Sequence, residues 1–118
     1  MWKIKKQLLE EICNAAKNYY PNEFMCFLFG NKETIEEIVL LPNTSGKDFA
    51  QISPTVIPID EQILGSLHSH PNGSARPSEA DKQFFRRHKI NAIIDGSYLP
   101  ERVNFFNSKG EQIICHLE

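Results

Sequence analysis

Long apolar runs are missing from this chain of 118 residues. No stretch approaches the ~20 residues of a membrane-spanning helix. The opening Met1-Trp2-Lys3-Ile4-Lys5-Lys6 lacks the apolar stretch of a secretory signal. Cysteine is scarce: Cys13, Cys26 and Cys115 are odd in number, far apart and without a C-x-x-C pair. That excludes a disulfide framework and a zinc-finger pattern. Each lies in an apolar stretch and reads as a small buried hydrophobe, with nothing nearby to acidify a catalytic thiol. Charge of one sign is missing too. Lys and Arg number 13 against 15 Asp and Glu, a formal net charge of −2, so the broad basic field of a sequence-independent nucleic-acid binder is absent. No repeat or low-complexity tract interrupts the chain. What is left is a soluble, cytoplasmic single domain over residues 1–118, with 41% hydrophobic residues, enough for a core without a metal or disulfide staple.

Ile4, Leu8, Ile12, Ala15, Ala16 and Tyr19 recur at spacings of three and four, which predicts an amphipathic helix over 3–18, stopped at Tyr20-Pro21-Asn22. The six apolar residues 24–29, closed by Gly30-Asn31, read as a strand buried on both faces. A second strand is expected over 35–41. Pro54 and Pro58 exclude a central strand over 48–60, leaving a short edge strand near Phe49 and a loop. A strand follows over 62–70, then a helix opened by Ser78 and running to about His88, with Ala80, Phe84, Phe85 and His88 on its buried side. Strands over 90–95, 102–106 and 112–117 complete the chain. Helix, strands, helix, strands implies an α/β (α+β) domain, one mixed sheet with helices packed on it.

The chemistry concentrates in His68-Ser69-His70-Pro71 and Ser78-Glu79-Ala80-Asp81. Residues i and i+2 of a strand share a face, so His68 and His70 present two imidazoles side by side. With four histidines in the chain, an H-x-H pair alone also arises by chance. Ser78-x-x-Asp81 is equally an ordinary helix start, with Ser78 as cap and Asp81 favoured by the dipole. The combination is more specific. Two imidazoles on a strand end and an acid returned over it by the proline-bounded loop 71–77 leave a fourth position open, as in a catalytic zinc site. His88 and His116 read as structural or surface residues, and Arg86-Arg87-Lys89 as a solvated helix end.

His68-Ser69-His70-Pro71, then Ser78 and Asp81, with Glu23 upstream, resembles the JAMM (MPN-plus) metalloprotease motif, in which ten residues separate the second histidine from the aspartate; here these are residues 71–80. The likeness covers essentially the whole chain and is strongest to the small stand-alone archaeal and bacterial members. It implies a mixed curved β-sheet flanked by helices, a cytidine-deaminase-like architecture. It further implies one zinc ion per chain held by His68, His70 and Asp81, with Glu23 and Ser78 as catalytic residues: Glu23 as proton carrier, Ser78 as oxyanion donor. The implied substrate is an amide bond after the glycine tail of a ubiquitin-like or sulfur-carrier protein. That tail is expected to bind by adding a strand to the sheet edge beside the site. Neither nucleic acid nor membrane is expected as a partner, and the chain is expected to be a monomer or weak homo-oligomer. Two other readings stand beside it: a non-catalytic MPN-type interaction module and a metal-dependent phosphoesterase. The latter needs further ligands from a barrel of roughly 200 residues or more. Zinc deaminases require P-C-x-x-C beside H-x-E, and no P-C-x-x-C is present.

Overall fold

The structure, a computed structural model, describes residues 1–40 and 63–118. In chain order the elements are β1 (Trp2–Ile4), α1 (Lys6–Asn18), β2 (Met25–Asn31), β3 (Thr34–Leu40), β4 (Ile63–Ser69), α2 (Glu79–Phe85) and β5 (Ile90–Ile94). A 3-10 turn (Pro100–Arg102) precedes β6 (Asn104–Phe106), β7 (Gln112–Ile113) and β8 (Cys115–Leu117). The strands form one mixed sheet in the order β7-β6-β5-β4-β2-β3-β1-β8. Its two outermost strands, β7 and β8, are separated in sequence by Ile114 alone. The sheet must therefore curl until its opposite ends nearly meet.

The run 24–29 is apolar throughout because both faces of β2 are covered. Cys26 and Leu28 join Leu9, Ile12, Cys13 and Ala16 of α1 in the main core, together with Leu67, Ala92, Ile94 and Phe105. Met25, Phe27 and Phe29 point the other way and pack with Phe84 of α2. Beside them lies a smaller cluster of Ala75, Phe85, Ile93 and Phe106. The central strands β4 and β5 run parallel and very close. A Cβ on Gly65 would lie 1.7 Å from the Ile90 carbonyl oxygen, so only glycine fits there.

Several element boundaries differ from the expectations. The helix expected over 3–18 begins at Lys6, because Ile4 belongs to β1 and pairs in parallel with both β3 and β8. The second helix ends at Phe85 instead of near His88. Its last turn tightens through Arg87 N–H to Phe84 O and His88 N–H to Phe85 O, and the Asn91 side-chain amide also donates to the Phe85 carbonyl at 3.3 Å. A helix carbonyl satisfied in this way no longer needs another turn. Ala80 is exposed, not on the buried side. The strand expected over 102–106 starts at Asn104, because Pro100 opens a 3-10 turn. The segment 112–117 is two strands that pair at opposite ends of the sheet. Cys13 and Cys26 are buried, but Cys115 is only half-buried. The edge strand near Phe49 and the loop after it lie outside the described residues.

Candidate metal centre

The centre is built where β4 ends beneath the start of α2. His68 is the penultimate residue of β4 and fully buried, its ring 6.4 Å from that of Phe85. His70 follows the strand and continues its pairing through a 2.8 Å bond from its N–H to Ile94 O. The two side chains share a face, as their spacing requires, and their Nε2 atoms lie 3.1 Å apart. Asp81 is brought to them by α2. His68 Nε2 lies 3.2 Å from Asp81 Oδ1, and His70 Nε2 lies 3.2 Å from Asp81 Oδ2.

Ser78 caps this helix with a reciprocal pair of bonds. Its hydroxyl accepts from Asp81 N–H at 3.0 Å, and its own N–H donates to Asp81 Oδ2 at 2.9 Å. The cap therefore aims the carboxylate as well as starting the helix. Accepting a bond leaves the hydroxyl hydrogen of Ser78 available to donate.

Glu23 arrives from the segment ahead of β2. One of its carboxylate oxygens lies within 4.8 Å of ring nitrogens of both His68 and His70. Ser69, the residue between the histidines, accounts for much of this placement. Its Oγ accepts from Phe24 N–H at 2.9 Å, and its own N–H donates to Phe24 O at 2.9 Å. Met25 sits opposite His68 in the ladder. The motif gives Ser69 no role of its own. Its bond to Phe24 is fixed by strand register between distant segments, which no local pattern reports.

The loop 71–77 supplies a further contact that side-chain patterns do not show. The Ser74 carbonyl lies 2.9 Å from His70 Nδ1. A carbonyl only accepts, so Nδ1 carries the hydrogen and the lone pair of a neutral ring belongs to Nε2. The bond to Asp81 raises the His70 pKa; burial opposes it, and the Ser74 carbonyl adds to the rise. Burial pushes the Asp81 carboxyl up, but the bonds from His68 and His70 outweigh it and hold this group well below the usual carboxylate range.

The donor set fits a small divalent cation. Four-coordinate zinc with bonds of ~2.0–2.1 Å keeps neighbouring donors about 3.3 Å apart, close to the separations among His68, His70 and Asp81. A cation taking those donors displaces the protons they share, so its binding releases protons.

Both backbone edges of β4 are taken, by β2 on one side and β5 on the other. A peptide therefore cannot add as a strand to the element carrying the histidines itself. The remaining histidines stand apart from this cluster. His88 is buried between the rings of Phe27 and Phe84, and burial depresses its pKa to about 4. His116 is exposed on β8. Arg86, Arg87 and Lys89 are exposed, and Arg87 lies over the Phe84 ring at 5.8 Å. Burial pushes Cys13 and Cys115 up to about 12 and Cys26 up as well, so none is a ready thiolate.

Residues 5–109 match the family described as prokaryotic homologs of the JAB domain. A protein of Haloferax volcanii named probable metalloprotease is 29% identical over 119 residues, covering 92% of this chain and 74% of that protein. A JAB1/MPN domain protein from Archaeoglobus fulgidus is similar at 34% identity and a TM-score of 0.78, with 98% of this chain and 97% of that one covered. A structure described as a metalloprotease-like zinc site in the proteasome and signalosome is similar at 31% identity and a TM-score of 0.77, covering 100% and 98%.

Proposed function

Since this chain belongs to the prokaryotic JAB-domain family, we propose that it is a zinc-dependent isopeptidase or peptidase. Its substrate is the amide bond after the C-terminal glycine tail of a ubiquitin-like or sulfur-carrier protein. One observation carries this reading: His68, His70 and Asp81 converge at 3.1–3.2 Å with the Glu23 carboxylate beside them. His68, His70 and Asp81 hold the ion, two neutral donors and one anion. Zinc bound there supplies Lewis acidity that lowers the pKa of a water from ~15.7 toward about 7.

The chain's own residues do the rest. Glu23 accepts the proton of the attacking water and delivers it to the leaving nitrogen. Without that delivery the amide must expel a poor leaving group and the addition reverses. Ser78 donates its hydroxyl hydrogen to the developing oxyanion while its oxygen still caps α2. A glycine tail suits such a site, because a backbone without side chains comes closest to the reacting centre.

The test is incubation with glycine-tailed ubiquitin-like fusions, with and without a chelator. Cleavage after the last glycine, lost with chelation and restored by zinc, is the expected result. Cleavage indifferent to chelation, or a purified protein without stoichiometric zinc, overturns the proposal; the latter result favours an interaction module.

Two substitutions separate the roles of Ser78. Losing an oxyanion donor costs about 10²–10³ in kcat, whereas replacing a serine cap by alanine costs about 1 kcal/mol of stability and by glycine only a few tenths. Ser78→Ala and Ser78→Gly should therefore slow turnover alike while differing in melting temperature. If turnover follows melting temperature across the pair, Ser78 acts as a cap alone.

A further inference from the structure

The histidine-loop contact leads to a residue that the zinc reading, on which this inference rests, does not use. Asn104 on β6 lies in one row across the sheet with the site: His68 stands opposite Ile93, and Ile93 opposite Asn104. Its side chain is therefore on the face that carries the histidines. The Asn104 Nδ2 donates to the Ala75 carbonyl at 3.2 Å. Its Oδ1 accepts from Gln112 Nε2 at 3.3 Å. The orientation of this amide is fixed by Ala75, because a carbonyl requires a donor opposite it.

Ala75 directly follows Ser74, whose carbonyl meets His70 Nδ1. The loop is tied down at neighbouring points as well. Gly96 N–H donates to Gly73 O at 3.2 Å, and the Ala75 side chain is buried against Phe85, Ile93 and Phe106. Consecutive carbonyls thus face a strand on one side and a metal-site imidazole on the other. Loss of the Asn104 donor frees the peptide between them to rotate.

We propose that Asn104 is a positioning residue of the metal centre. By fixing the Ala75 carbonyl it keeps the Ser74 carbonyl against His70 Nδ1, and so selects the tautomer whose Nε2 lone pair faces His68 and Asp81. In the other tautomer Nε2 carries a hydrogen and offers no ligand. Removing a group hydrogen-bonded directly to a ligating histidine weakens metal binding 10–100-fold. Asn104 acts one step further back, so the expected loss is about tenfold.

The experiment compares Asn104→Leu, which keeps the shape and removes the donor, with Asn104→Ala and with Gln112→Ala, which leaves the donor in place. Zinc affinity is read by competition with a chromogenic chelator. The tautomer of His70 is read from its 15N shifts in metal-free protein at alkaline pH. Both Asn104 variants are expected to bind zinc about tenfold more weakly and to show a mixture of His70 tautomers, while Gln112→Ala matches the parent. Asn104→Ala keeps the measurement possible should leucine disturb the fold. Parent-like zinc affinity and a single Nδ1–H tautomer in the Asn104 variants overturn the inference. A parent protein that takes up no zinc overturns the proposed function instead, and the tautomer measurement then decides the role of Asn104 alone.

Discussion

Glu23→Gln is expected to lower kcat for a glycine-tailed substrate by about 10²–10⁴-fold, the contribution of a positioned general acid–base, and to leave zinc bound at one ion per chain. Glutamine reproduces the shape of glutamate but cannot take a proton from water and return it to nitrogen. Glu23 is half-buried in the segment ahead of β2, with a carboxylate oxygen within 4.8 Å of ring nitrogens of His68 and His70. Its exchange should leave stability nearly unchanged, as for most substitutions away from the core. Parallel measurement of kcat and metal content checks this. Cleavage as fast as the parent's refutes the proton-carrying role. Zinc lost together with activity makes Glu23 a ligand.

His68→Ala has the larger effect on the metal. Removing one of three donors leaves His70 and Asp81, too few for a site that keeps a position open for water. The substitution also strips a buried carboxylate of one of its two imidazole partners. Breaking a buried charged pair costs on the order of 3–5 kcal/mol, so His68→Gln serves as the milder companion. Addition of zinc separates metal loss from simple destabilisation. A ligand at 100 times its Kd stabilises the folded state by about 2.7 kcal/mol, so the parent's melting temperature rises with zinc. Neither His68 variant should show that rise. A parent-like rise in either one removes His68 from the ligand set.

The sequence made some parts of this molecule visible and hid others for physical reasons. The imidazole pair was visible because two-residue spacing in a strand is a local rule, and the curled mixed sheet followed from element order and family likeness. Asp81 needed more: its first-turn position gave it a capping role as readily as a metal role, and the geometry has it bonded to the Ser78 cap and to both imidazoles at once. Ile4 was drawn into the helical stripe by its spacing from Leu8. Only its pairing with β3 and β8, which are far away in sequence, makes it a strand residue. The break at Ile114 was hidden for a similar reason. Residues 112–117 look like one strand locally, and only the curl of the sheet sends the two halves to different partners. Ser69 and the Ser74 carbonyl are not legible in the sequence, because a register bond and a backbone oxygen leave no residue-type signature.

The curl also bears on how this protein behaves in a crowded solution. An exposed strand edge is a row of unpaired amides and carbonyls that can recruit other extended chains into aggregates. Among the described residues the outermost strands are Gln112–Ile113 and Cys115–Leu117, each too short to act as a template. Among the described residues the two ends of the sheet therefore offer little free ladder, and the longer edge left is that of β3, which β1 covers only at Thr34 and Ile35.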